Sequence, residues 1–138
     1  MVEKIYDKRS EELIALIIRS NFRKDGIEFF TPGSFSQQLG YMNRPKGYLI
    51  KPHVHQVMER TVHLTQEVLI VKSGKVKVNL YTSDRLFLES IIVEKGDVLL
   101  LANGGHGFEM IEDSEMIEVK QGPYCGDDDK VHFEPHKK

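Results

Sequence analysis

The residues best suited to chemistry are concentrated between Gly47 and Gly74. His53 and His55 form a His-x-His pair there, and Glu67 opens an apolar run that continues to Val71. In a β-strand, residues i and i+2 point to the same face, so this spacing aims two imidazoles at one point. If the run that starts at Glu67 pairs antiparallel with the histidine segment, its carboxylate joins them. Two neutral imidazoles and a carboxylate make up most of a transition-metal site.

A further candidate ligand, His106, lies far along the chain. It follows Asn103-Gly104-Gly105, a flexible turn that can deliver a side chain to the protein interior. Nitrogen and carboxylate ligands without a thiolate suit one divalent transition metal, which we take to be Fe, Mn, Ni, Cu or Zn. The sequence therefore predicts a metal site that is assembled from distant parts of the chain.

These residues resemble the two motifs of the cupin superfamily. Gly47, five residues and then His-x-His are similar to the first half of the first motif, and Glu67, six residues and then Gly74 are similar to its second half. The segment from Gly96 to His106 resembles the second motif, whose histidine is the last metal ligand. The resemblance covers residues 45–120 and implies a jelly-roll barrel of the double-stranded β-helix type. It also implies a metal that is held by His53, His55, Glu67 and His106.

The segment between the histidine pair and the glutamate permits a second alignment. Eleven residues separate His55 from Glu67, where cupins usually have three or four. His63 fits that shorter spacing, so His63, Glu67 and His106 form an alternative two-histidine, one-carboxylate site. We favour His53 and His55 because the upstream Gly47 and the same-face pair both fit, and we keep His63 as an additional or alternative ligand.

The elements that must position these residues are strands. From Gly47 onward, short apolar runs alternate with turn signals, and Val76, Val78 and Leu80 are predicted to point inward. This pattern predicts an all-β sandwich or barrel with a core over residues 45–120 and a C-terminal segment over residues 121–138. Before it, Ser10 and two glutamates precede the apolar run Leu13–Ile18, which predicts a short helix over residues 10–21 with two apolar faces.

Composition sets the class of protein. The chain has 138 residues, 40% hydrophobic and 29% charged, as expected for one globular domain. A net charge of −2 argues against a nucleic-acid or membrane surface. The single cysteine, Cys125, excludes an internal disulfide and fits a reducing compartment, so we expect a cytoplasmic protein. The two-faced helix and the open edges of a jelly roll predict a homodimer.

The residues around the expected site suggest a small-molecule ligand. Lys51 could pair with an anion, and Arg60 could cover the mouth of the cavity. The expected wall is apolar and contains Leu69, Phe108 and Met110.

Three functions are compatible with the sequence. The first is a small metalloenzyme of oxygenase, isomerase or lyase type that acts on an oxygenated small molecule. The second is a non-catalytic module that binds or senses a metal and a small molecule. The third is a metal-free enzyme similar to sugar-nucleotide epimerases or isomerases, with a histidine base and a tyrosine acid. The segment from Glu118 to Tyr124, with Asp129-Lys130, resembles small cupins that are encoded beside bacterial surface-polysaccharide genes, which implies a sugar-related role.

Overall fold

A computed structural model describes residues 1–135, and every regular element in that range is a β-strand. Residues 136–138, the end of the predicted C-terminal segment, lie outside the described residues. The ten strands pair antiparallel throughout, which confirms the prediction of an all-β fold. They are β1 (Val2–Tyr6), β2 (Leu13–Ile18), β3 (Gly26–Phe29), β4 (Gly40–Asn43), β5 (Glu67–Ser73), β6 (Lys75–Tyr81), β7 (Phe87–Glu94), β8 (Val98–Leu101), β9 (Gly105–Met110) and β10 (Glu115–Lys120).

The strands form three sheets. A five-stranded sheet has the order β1-β2-β8-β5-β10, a three-stranded sheet has the order β7-β6-β9, and β3 pairs with β4. The main core lies between the two larger sheets, because its buried side chains come from β2, β5 and β8 on one side and from β6 and β7 on the other. As predicted, Val76, Val78 and Leu80 of β6 all point into this core and are fully buried.

A second, smaller core covers the other face of the five-stranded sheet. Leu16, Val68 and Leu100 pack there against aromatic side chains from the segment that contains β3 and β4. Phe22 makes edge-to-face contacts with Phe30 and Tyr41 in this layer. The five-stranded sheet is therefore covered on both faces.

The predicted helix over residues 10–21 is wrong, because Leu13–Ile18 forms strand β2. Every residue of β2 is buried, with one face against the main core and the other against the aromatic layer. A strand that is covered on both faces can be apolar at every position, which explains the uninterrupted apolar run. Among residues 1–135, the structure contains no helix that is long and apolar enough to cross a bilayer.

A β-bulge explains how all of β2 is buried. Ile5 pairs with Ala15 and Tyr6 pairs with Leu13, so Ile14 is an extra residue on β2. The extra residue reverses the alternation of side chains at that point. Ile14 joins Ala15 and Ile17 in the main core, while Leu13 lies in the second core.

The segment between β4 and β5 is the largest departure from the predicted fold. Residues 44–66 contain no strand, although the His-x-His pair was expected to lie on one. Every residue from 44 to 64 is exposed, and we call this segment the arm. The arm begins where β4 ends and leads into β5, so it lies next to the strand that carries Glu67.

Candidate metal centre

Glu67 and His106 meet across the two larger sheets. Glu67 is the first residue of β5 in the five-stranded sheet, and His106 is the second residue of β9 in the three-stranded sheet. The Nε2 atom of His106 lies 3.6 Å from Oε1 of Glu67, and their side chains are 27% and 13% exposed. This separation is longer than an N–H···O hydrogen bond. The two groups thus form a contact between a carboxylate and an imidazole at the partly open end of the main core.

Gln66 fixes the position of Glu67. Its side chain is 2% exposed, and its Oε1 accepts hydrogen bonds from the backbone N–H of Gln37, at 3.1 Å, and from Oγ of Ser36, at 3.3 Å. Its backbone carbonyl accepts a hydrogen bond from the N–H of Gln121. A buried amide that is satisfied in this way holds the chain in one place. The arm therefore ends at a firm anchor immediately before Glu67.

The turn before β9 fixes the position of His106. Asn103 donates a side-chain hydrogen bond to the carbonyl of Leu13, at 2.9 Å. Gly104 has a φ of +76°, and a Cβ atom there would collide with the carbonyl oxygen of Tyr81. Only glycine fits such a position without strain. The predicted delivery of His106 by a glycine turn is consistent with this geometry.

A second carboxylate, Glu118, accompanies the pair. Glu118 lies on β10 opposite Leu69, close enough to Glu67 for the two carboxyl groups to influence each other's pKa. The imidazole of His106 holds the pKa of Glu67 below its usual value, although partial burial opposes this effect. Glu67 in turn raises the pKa of Glu118, and desolvation adds to the increase. The two pKa values are thus shifted in opposite directions, so Glu118 takes up a proton more readily than Glu67 does.

The arm carries the three remaining candidate ligands. His53, His55 and His63 are all exposed. Among the described residues, the histidine that lies near Glu67 is His106, and none of these three forms an ion pair with Glu67. The rings of His53 and His55 lie beside each other, with centroids 5.3 Å apart. The Nδ1 atom of His53 lies 2.9 Å from the carbonyl oxygen of Lys51. Because a carbonyl can only accept, Nδ1 carries the proton and donates it, which leaves the Nε2 lone pair of a neutral ring free.

The expected ligand set is thus divided between two places. Within residues 1–135, no three His, Cys, Asp or Glu side chains lie together in a group that could hold a metal ion. The structure brings Glu67 to His106 and His53 to His55, and it does not bring the two pairs together.

The predicted pocket residues are divided in the same way. Leu69 is buried on the Glu67 face of β5, and Phe108 and Met110 share a face with His106 on β9, where both are partly exposed. Lys51 and Arg60 are exposed in the arm. A separate surface groove of about 450 Å³ lies between the end of β1 and residues 29–35, away from Glu67.

Comparisons with known proteins add no relative. No family model matches this chain, and neither a curated protein nor a solved structure matches it.

One residue that shapes the site, Gln66, is not among the residues predicted from the sequence. Glu118 is different, because the sequence suggests it, beside Glu109 or a backbone carbonyl, as an acceptor for the second ring nitrogen of a metal-bound histidine. Gln66 gives no such signal, because its partners Ser36 and Gln37 are 30 and 29 residues away.

Proposed function

We propose that this protein binds one divalent transition metal and acts as a small metalloenzyme of oxygenase, isomerase or lyase type on an oxygenated small molecule. The proposed ligands are Glu67 and His106 in the sandwich, together with His53 and His55 of the arm. We further propose that the completed fold is a jelly roll of the cupin type. In it, the arm adds strands at the side of the sandwich that is bounded by the edge strands β9 and β10.

The observation that carries this proposal is the contact between Glu67 and His106. The two residues are far apart in the sequence and lie on different sheets, yet their side chains come within 3.6 Å of each other. A carboxylate and an imidazole at this distance can bind the same cation, because both are common ligands of transition metals. The partial exposure of both side chains leaves room for further ligands.

The donor set fits a metal in two further respects. His53 already has its Nδ1–H bound to a carbonyl, which is the arrangement that orients metal-binding histidines and fixes their tautomer. Glu67 is held in its ionised form by His106, and an ionised carboxylate is the form that binds a cation. A metal bound by four protein groups would supply an open coordination position that can polarise a carbonyl or activate water.

The chain's own residues would define the ligand. Leu69, Phe108 and Met110 give an apolar wall beside the Glu67–His106 pair, which favours the carbon skeleton of a small molecule. Lys51 lies two residues before His53 and would approach an anionic group of the same molecule when the arm docks. Glu118, whose pKa is raised by Glu67, would be the more easily protonated of the two carboxyl groups.

The decisive experiment is elemental analysis of protein that is purified without chelators, followed by dialysis against Zn²⁺. We expect an equimolar amount of metal in the wild type and a loss in Glu67→Ala and His106→Ala. Comparing His55→Ala with His63→Ala decides which histidine completes the site. His132→Ala is the matched control, since His132 is exposed and outside the site, and it should keep its metal.

A protein that contains no metal and takes up none would refute the proposal. That result would leave the metal-free epimerase or isomerase hypothesis as the better explanation.

A second candidate is a metal-containing binding or sensing module. It is favoured by the small number of groups near Glu67 that could transfer a proton, which are His106, Glu118 and Lys120. Such a module would show ligand-dependent thermal stabilisation of the metal-loaded protein without product formation.

A further inference from the structure

The sandwich has an open side that is formed by its two edge strands β9 and β10. Strand β9 ends the three-stranded sheet and β10 ends the five-stranded sheet. Each edge therefore presents a row of backbone N–H and C=O groups that are free to pair with another strand. Glu67, Glu118 and His106 all lie at this open side.

The arm carries apolar side chains that a stable protein does not leave in water. Eight large apolar residues in it are exposed, and Leu49, Val54 and Val57 are 88%, 89% and 101% exposed. Exposed apolar side chains in this number are typical of an interaction surface. The hydrogen bonds that residues 44–64 make with the described part of the chain stay within the arm. The apolar side chains of the arm are therefore available to a surface outside its own sandwich.

Charge makes the open side and the arm complementary. The arm contains four basic residues and one acidic residue. The segment from residue 105 to 120, which contains the edge strands β9 and β10, has five acidic residues and one lysine. Opposite charges of this kind select the partner surface and orient its approach.

We propose that the arm of each copy docks along the open side of a second copy, so that His53 and His55 of one chain complete the metal site of Glu67 and His106 in the other. The part of this inference that concerns a shared metal site rests on the proposed function. The part that concerns the exchange of arms rests on the exposed arm and the open edge strands. Reciprocal exchange of one element gives a closed two-fold dimer. The exchange covers the arm and the edge strands β9 and β10 of each chain at the same time.

The size of the contact suits a stable dimer. The arm and the two edge strands together supply about 30 residues per chain, which matches the roughly 20–30 residues on each side of a standard interface. The two ends of the arm also suit exchange. Gly47, with a φ of +87° and open space around its Cβ position, allows the chain to turn near one end, and Gln66 anchors the chain just beyond the other.

The first test measures the exchange without reference to a metal. Protein that is refolded from an equal mixture of ¹⁴N- and ¹⁵N-labelled chains is cross-linked with a short lysine reagent and digested. Docking brings Lys51 of the arm near Lys120, which lies opposite Glu67 on β10. We expect Lys51–Lys120 peptides that join one labelled and one unlabelled chain. Peptides in which both halves always carry the same label would overturn the proposal, as would a monomeric mass for the wild type in light scattering.

The second test measures metal binding across the interface. One chain carries His53→Ala and His55→Ala, and a differently tagged chain carries Glu67→Ala and His106→Ala. Exchange leaves one intact site in the purified heterodimer, so it should bind about half as much Co²⁺ per chain as the wild type, while each variant alone binds none. If the wild type binds Co²⁺ and the heterodimer binds none, each metal site forms within one chain and the exchange is wrong.

The two tests separate the two proposals. If the wild type binds no metal but mixed-label peptides appear, the arm exchange is correct and the proposed function is wrong. If metal binds in the wild type and only same-label peptides appear, the proposed function stands and the exchange is wrong.

Discussion

Glu67 and Glu118 are two carboxylates on the neighbouring strands β5 and β10 that shift each other's pKa. His106 lowers the pKa of Glu67, and Glu67 raises the pKa of Glu118. Ionising both groups in the absence of a metal places like charges side by side, which is unfavourable. The pair therefore destabilises the metal-free fold electrostatically and attracts a cation.

The first prediction concerns this repulsion. In buffer with a chelator, Glu118→Gln should raise the denaturation midpoint at pH 7, because it removes one of the two like charges. A carboxyl whose folded pKa is raised destabilises the fold only above its ordinary value of 4.5. The difference between variant and wild type should therefore vanish below pH 4.5. Urea titrations at several pH values measure it, with Glu89→Gln, an exposed glutamate on β7, as the control that should show no such change.

The second prediction concerns the ion pair between Glu3 and Arg19. The guanidinium of Arg19, whose Nε lies 2.6 Å from Oε2 of Glu3, lowers the pKa of that carboxyl. A lowered folded pKa contributes stability that is complete above the ordinary value of 4.5 and is lost as the pH falls through the folded value. Glu3→Gln should thus destabilise the protein at pH 7 and converge on the wild type in acid. In an Arg19→Met background the same substitution should lose its pH dependence, and a persistent dependence would contradict the assignment.

The third prediction concerns the contacts of Arg19 with the interior. Its Nη1 donates to the carbonyl of Ile92, at 2.6 Å, and to the nearly buried carboxylate of Asp97, at 3.1 Å. Arg19→Met should cost about 2–3 kcal/mol of unfolding free energy, since hydrogen bonds of charged groups contribute about 1.5–3 kcal/mol. Asp97 keeps its hydrogen bonds from the backbone N–H groups of Ser20 and Glu94, so the fold should survive. A change below about 0.5 kcal/mol, typical of a surface substitution, would show that this network is not stabilising.

The fourth prediction concerns the turn that positions His106. Gly104→Ala should cost at least about 1–2 kcal/mol, because a left-handed residue with a Cβ is strained and the new atom meets the carbonyl of Tyr81. Gly107→Ala is the matched control two residues into β9, where the added atom has no neighbour within 4 Å and φ is ordinary. Calorimetry on both variants provides the comparison. Equal midpoints for the two variants would contradict the role given to the turn.

The fifth prediction concerns β2. Ile17 is fully buried in the main core, and Ile17→Ala should cost about 2–5 kcal/mol through lost burial and the cavity it leaves. Lys72→Ala, an exposed position on β5, should change stability by no more than about 0.5 kcal/mol. Chemical denaturation of the two variants tests whether this strand is central to the fold.

The apolar runs of the chain differ in how well they predict the fold. Val76, Val78 and Leu80 alternate with polar residues, and a period of two by itself identifies a strand with one buried face. Leu13–Ile18 has no period, because both faces of β2 are covered by segments that lie far away in sequence. Local reasoning cannot supply those partners, and it therefore favours a helix at that position.

The candidate site likewise combines features that local sequence predicts with features that depend on distant residues. The approach of Glu67 to His106 follows from a strand start and a glycine turn, both of which are local signals. The placement of His53 and His55 on a strand requires a partner strand for the arm, and among the described residues the arm pairs with none. The residue types are thus informative about chemistry, while their final arrangement depends on what the arm contacts.

The anchor at Gln66 has a consequence for how this protein can change. Because the buried amide of Gln66 is held by Ser36 and Gln37 and not by the arm, we expect that the arm can be lengthened, shortened or rewritten while the sandwich keeps its structure. New ligand preferences can then arise by editing one surface loop, with the glutamate behind it held at a constant position.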